Sequence, residues 1–131
     1  MVLRRRAAAF AVAVAVAASA FLLAGCSGAG IPSDGPLGIH PRPNAGMEAL
    51  ISGVLRTDAG CVRIESPYGA GEDVALTFPS GDAEMDGDAL VWRDDTHVDG
   101  EEVFFGGGFS SADGYLPDGC RGLELFVVSP F

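Results

Sequence analysis

Val74-Ala75-Leu76-Thr77-Phe78 alternates large apolar side chains with small or hydroxylated ones, and Pro79-Ser80-Gly81 ends the run. A period of two is the pleat of a β-strand, whereas a helix would repeat its apolar face every three to four residues. The same texture recurs on both sides, as short apolar runs broken by Gly, Asp or Pro. Ala49 to Thr57 reads as a first strand with Gly53 inside it, and Asp58-Ala59-Gly60 as a turn. Cys61 to Glu65 returns as a second strand, and Ser66 to Asp73 is a loop rich in Gly and Pro. Beyond the central run, Ala89 to Arg93 is a fourth strand carrying the only Trp, Trp92. Glu102 to Phe105 is a fifth that runs into Gly106-Gly107-Gly108, and Leu123 to Val128 is the last. Asp82 to Asp88 and Asp94 to Gly100 read as acidic connections.

Five or six short strands between residues 47 and 131 predict an all-β domain. They suit a small closed or partly open barrel, OB-like, better than a sandwich, which needs about seven strands. Gly53 and the triple Gly after Phe105 fit the tight bends of such a barrel. No stretch of this region holds a helical period, although Met47 to Leu55 has the composition to begin with a helical turn.

The residues ahead of the domain carry an address. Arg4, Arg5 and Arg6 precede an Ala-dominated apolar run from Ala7 to Leu23, and Leu23-Ala24-Gly25-Cys26 has the form of a bacterial lipobox. The expectation is a lipoprotein signal peptide over 1–25, cleaved before a Cys26 that carries a diacylglyceryl group. At about 0.8 kcal/mol per buried CH2, two acyl chains make a stable anchor without further membrane contact. A membrane-spanning helix is the rival, but the run is short for a span and poor in Leu and Ile. Residues 26–46 then form a lipidated cysteine and a flexible linker. Gly and Pro fill nine of its last 20 positions, predicting no regular element, a maximum reach of about 66 Å and a solvated His40.

Three cysteines are present. With Cys26 lipidated, Cys61 and Cys120 form an even pair in an exported domain and are expected to be joined as a disulfide. The bridge closes a long loop in a domain small enough to need a staple. Neither cysteine has another Cys or His at metal-ligand spacing.

Charge narrows the partners. The chain has no Lys, and all 18 Asp and Glu follow Cys26, whereas three of the eight Arg lie in the leader. Five arginines against 18 acids leave −13 on the mature chain. Such a surface repels nucleic acid and anionic lipid heads and attracts cations or basic partners.

The order Gly53-x-Leu55, Gly60-Cys61-Val62, Leu76-x-Phe78-Pro79-x-Gly81, Val103 with Gly106-Gly107-Gly108, and Cys120 before Phe126-Val127-Val128 resembles a family of small exported proteins of high-GC Gram-positive bacteria, commonly lipoproteins. The resemblance covers residues 50 to 128 and implies a disulfide-stapled β domain, with no activity attached.

Candidate chemistry is thin. Asp82-x-Glu84-x-Asp86-Gly87-Asp88 places oxygen ligands at alternate positions ahead of a Gly, as at the start of a calcium loop. Against it, the twelfth position is Arg93 where a bidentate Glu belongs. A calcium site therefore requires Asp82, Glu84, Asp86 and Asp88 to converge, and the favoured reading is no metal and no cofactor. His97, near Asp95 and Asp99, forms a Ser-His-Asp set with Ser110 or Ser111 only on paper, because no nucleophile motif surrounds them. Phe104 and Phe105 must face opposite sides of their strand, so one of them lies outside the barrel. With Phe109, Tyr115 and Trp92 nearby in sequence, an outward aromatic is a candidate patch for an envelope protein or a glycan. The expectation is a non-catalytic binding or accessory module, lipid-anchored on the extracytoplasmic face of the cell membrane. A calcium-dependent envelope component is the alternative.

Overall fold

The structure, a computed structural model, describes residues 30–69 and 71–131. The expected leader over 1–25, Cys26 and residues 27–29 of the expected linker lie outside the described residues.

Nine strands and one 3-10 turn make up the described chain: β1 (Gly38–His40), β2 (Ala49–Arg56), β3 (Arg63–Glu65), β4 (Val74–Pro79), β5 (Ala83–Asp86), β6 (Ala89–Trp92), β7 (Asp95–His97), β8 (Glu102–Phe109), the turn at Asp118–Cys120, and β9 (Glu124–Val128). β2, β3 and β4 form an antiparallel meander. β8 pairs antiparallel with both β2 and β9. A parallel pairing of β4 with β9, Val74↔Glu124 through Thr77↔Val127, closes the ring. The result is a closed five-stranded barrel in the order β4-β3-β2-β8-β9, so the OB-like expectation holds.

Alternation fills the barrel. Ile51 and Leu55 of β2, Ile64 of β3, Val74, Leu76 and Phe78 of β4, Val103 and Phe105 of β8, and Phe126 and Val128 of β9 are all buried in one core. β4 is buried along its whole length. Its inward residues are those of the period-two run, and its outward residues are covered by other parts of the chain. Ala75 lies beneath the Cys61–Cys120 disulfide in a second small cluster with Leu123 and Leu125. Thr77 is covered by His40. The expected disulfide is therefore present, and its sulfurs cap the outer wall of the barrel.

Between β4 and β8 the chain inserts a three-stranded antiparallel sheet, β5-β6-β7. Leu90 of this sheet is fully buried in the barrel core, with Ala83, Met85 and Trp92 packed against it. The rings of Phe78 and Trp92 lie 5.2 Å apart and those of Phe78 and Phe105 5.3 Å apart, so the sheet docks on the core where the inward rings of β4 and β8 converge.

Three expectations are corrected. Residues 30–46 are not a free linker. Leu37 and Ile39 belong to the core, β1 adds in parallel to β4, and the N–H of Val62 donates to the carbonyl of Pro36 at 2.9 Å. His40 is 3 % exposed, with Nδ1 3.2 Å from Thr77 Oγ1 and Nε2 without a hydrogen-bond partner among the described residues. Gly and Pro lower helix and strand propensity, but Leu37 and Ile39 gain enough by burial to order a three-residue strand. The acidic stretch 82–88 is a strand and a two-residue turn rather than a turn alone. Asp86↔Ala89 closes a hairpin over Gly87-Asp88, with Gly87 at φ +59°. Asp94 to Gly100, read as a connection, contains β7, whose Asp95 is opposite Trp92 across a second two-residue turn.

Candidate groove on the outer wall

Barrels of this kind commonly bind ligands on the face of their second and third strands. Here those are β3 and β4, and that face is occupied. Arg63 Nε lies 2.8 Å from Asp73 and its Nη2 2.9 Å from Asp58. The Asp73 carboxyl is held below the ordinary range, chiefly by the hydrogen bond from Arg63. Beside Arg63, Ala75 sits under the disulfide cluster.

The wall formed by β2 and β8 is bare instead. Register sets Leu50 opposite Gly106 and Ser52 opposite Phe104. Their neighbours Ile51 and Phe105 point inward, so the alternation that fills the core sends Leu50 and Phe104 outward. They are 70 % and 64 % exposed. Gly106 leaves the wall low between them, since an added Cβ there would meet nothing nearer than the Ala49 carbonyl oxygen at 3.9 Å. Beside this wall lies a groove of about 500 Å³ lined by Met47, Leu50, Gly106, Ser129 and Phe131.

Two glycines seat the groove's side chains. A Cβ on Gly108 would lie 2.5 Å from Met47 Sδ, and one on Gly46 would lie 3.1 Å from the Phe131 ring. Their missing side chains let Met47 and Phe131 lie flat against the backbone. Met47, Leu50, Phe104 and Phe131 are four of the nine large apolar side chains that are exposed among the described residues. Contiguous exposure of this kind marks interaction surfaces, whereas scattered exposure does not. Glu48 and Glu102 flank the patch, both exposed and neither in an ion pair with an arginine among the described residues.

A second apolar cleft of about 320 Å³ lies between residues 30–39 and β5, lined by Pro32, Pro36, Leu37 and Met85 among others. It is the seam where the N-terminal strap lies along the small sheet, and only Ile31 of the strap is a large exposed apolar residue.

The other sequence candidates are not brought together. Asp82 pairs with Arg42, Glu84 stands opposite Val91, and Asp86 and Asp88 flank the hairpin turn. An extended strand spreads alternate carboxylates by about 6.6 Å, whereas a calcium loop curls them around one point. Among the described residues no group of three or more His, Cys, Asp or Glu side chains is arranged to hold a metal ion. His97 Nδ1 meets Glu101 Oε1 at 3.3 Å, a partner not anticipated, and its ring stands edge-on to Phe105. The Glu101 carboxyl is lowered by the Val98 N–H first and by His97 second. Asp99 instead accepts from the Thr57 N–H at 2.8 Å and pairs with Arg56. Ser110 and Ser111 lie beyond the far end of β8, about 26 Å along an eight-residue strand.

Of the remaining aromatics, Trp92 packs on Phe78 and carries the Arg93 guanidinium 4.7 Å above its ring. Phe109 packs on Phe126, and the Tyr115 hydroxyl donates to the Gly35 carbonyl at 2.7 Å. Phe104 alone of this group stands outward without a ring partner among the described residues. Comparison of the chain with family models, with curated proteins and with solved structures finds no match.

Proposed function

We propose that this chain is a lipid-anchored envelope protein that displays an OB-like barrel as a non-catalytic binding module, with the exposed β2–β8 wall and the groove beside it as its binding surface. One observation carries the reading: the outer wall is sealed by the disulfide cluster and by β1 along β4, yet left apolar and open along β2 and β8. A merely structural domain would gain by placing polar residues at Leu50 and Phe104, because both are more than half exposed. The lipobox supplies the address, and Cys61–Cys120 pairing leaves Cys26 the only cysteine free to take a lipid. Metabolic labelling with an alkynyl fatty acid tests the anchor. The wild-type chain takes up label and stays with membranes, and Cys26→Ala does neither. Label retained on Cys26→Ala would sink the lipoprotein reading.

A further inference from the structure

Resting on the binding-module reading, we infer that the β2–β8 groove takes a protein segment that is at once apolar and cationic, a run in which Lys or Arg alternate with aliphatic side chains. Three occupants compete for an apolar groove on an anchored protein, and charge and the character of the lining separate them.

The first is the bilayer itself. The described chain begins at Gly30, which lines the cleft beside β5, and first ties to the barrel at Pro36 next to β4. In the ring order β4-β3-β2-β8-β9, the β2–β8 pair lies two strands from β4 in either direction. The groove nevertheless adjoins the far end of the strap, because His40 and Pro43 line a smaller cavity with Gly46, Met47 and Ser129, three of the groove's own lining residues. Charge, not distance, disfavours lipid: Glu48 and Glu102 beside the groove and −13 on the mature chain repel anionic head groups.

The second occupant is another copy of this chain. Each copy brings −13 after processing, and of 18 carboxylates only six pair with an arginine among the described residues. Face-to-face association would bring Glu48 and Glu102 of one copy against those of the other. Like charges set opposite one another at an interface are strongly disfavoured.

The third is a partner whose charge complements the rim. Met47, Leu50 and Phe131 line the groove and Phe104 is exposed on the wall beside it, while Glu48 on its lining and Glu102 farther along β8 pair with no arginine among the described residues. Side chains on an extended partner strand alternate faces, so with its apolar residues in the groove its Lys or Arg stems would fold back over the edge to bring their charges to Glu48 and Glu102. A glycan fits less well, because the lining is dominated by flexible or aliphatic side chains rather than by a flat aromatic platform with converging hydrogen-bond groups.

The test uses the full lipidated chain in phosphatidylcholine nanodiscs, with empty nanodiscs as reference. The probe is a short peptide alternating Lys and Leu with one benzophenone side chain, photo-crosslinked and mapped by mass spectrometry. Crosslinks are expected at Met47 or Leu50. Gly106→Val raises the groove floor at a position where an added Cβ meets nothing nearer than 3.9 Å and should suppress them at least tenfold. Glu48→Gln with Glu102→Gln should weaken capture about fivefold, while Glu84→Gln with Asp86→Asn, the same charge change on β5, should leave it unchanged. Equal capture of a peptide with Glu in place of Lys, or equal loss in both charge variants, overturns the cationic partner. The binding module survives that result if Gly106→Val still blocks. A chitin hexasaccharide that protects Met47 from labelling while the peptide does not crosslink assigns the groove to glycan and overturns the proposal. No crosslink or protection at the groove from any probe overturns both the partner and the binding surface.

Discussion

Gly106 and Gly107 are adjacent, identical and on the same strand, yet replacing each by Ala should move stability in opposite directions. At Gly107 a Cβ would sit 2.0 Å from the Val127 carbonyl oxygen and 2.9 Å from Cε1 of Phe126. Ordinary contact begins at 3.4 Å, so the β9 backbone would have to retreat by about 1.4 Å. That retreat falls on the pairing of Gly107 with Val128 and Gly108 with Val127, the register that joins β8 to β9. Overpacking costs about 1–3 kcal/mol and each lost backbone hydrogen bond about 1 kcal/mol more. A loss of at least 3 kcal/mol follows. At about 4–8 °C per kcal/mol for a domain of this size, Tm should fall by about 12 °C or more. At Gly106 the Cβ would point into the open groove, and Ala in a strand interior is better than Gly by about 0.5–1 kcal/mol. Gly106→Ala should therefore raise Tm by a few degrees. Thermal unfolding followed by circular dichroism, with the disulfide intact, reads both. Equal shifts in the two variants would refute the packing of β8 between an open outer wall and a crowded β9.

Loss of the Cys61–Cys120 bridge, by Cys61→Ala with Cys120→Ala, releases a loop with a sequence separation of 59 and should cost about 4 kcal/mol in urea unfolding; a change under 1 kcal/mol would show that the outer cluster holds without it. His40 makes stability fall on mild acidification. Burial sets its folded pKa below 6.5, only partly offset by its hydrogen bonding to Thr77, so the unfolded chain takes up the proton first. The contribution is present above about pH 6.5 and lost as pH falls from there toward the lower folded value. His40→Asn should flatten Tm between about pH 7 and pH 5, and the same decline in both proteins would refute it. Asp73 and Glu101, with lowered pKa values, act in a lower window: their contribution is present above the carboxylate range and lost below about pH 4. Calorimetry with calcium at about 150 mM salt should show no saturable site tighter than about 0.1 mM; a micromolar site removed by Asp86→Ala would mean that β5 rearranges to converge its carboxylates.

The barrel was legible because its inward residues obey a period of two: Val74, Leu76 and Phe78 announce a strand, and Phe104-Phe105 announce one inward and one outward ring. The disulfide was legible by cysteine count. What escaped detection was structure whose stabilisation is remote in sequence. Gly38 to His40 looks like linker because Gly and Pro surround it, and only the presence of β4 to pair with gives Ile39 somewhere to be buried. The β5–β6 hairpin carries a plain signal in Asp86-Gly87, but the acidic side chains at Glu84, Asp86 and Asp88 masked the inward alternation of Ala83, Met85 and Leu90. The groove was half visible. Phe104 was singled out, whereas Met47 and Phe131 join it only because Gly46 and Gly108 let distant segments lie against one backbone.

The parallel seam between β4 and β9 has a bearing on how the chain matures. Its partners, Val74↔Glu124 to Thr77↔Val127, are about fifty positions apart, and parallel pairing across such a span forms slowly. Until β9 arrives, β4 and β8 are unsealed borders able to template strands from neighbouring molecules. A newly made polypeptide would spend that interval with two such borders facing its surroundings. Its density of carboxylates, which adds nothing to the core, would keep neighbouring molecules apart over that interval.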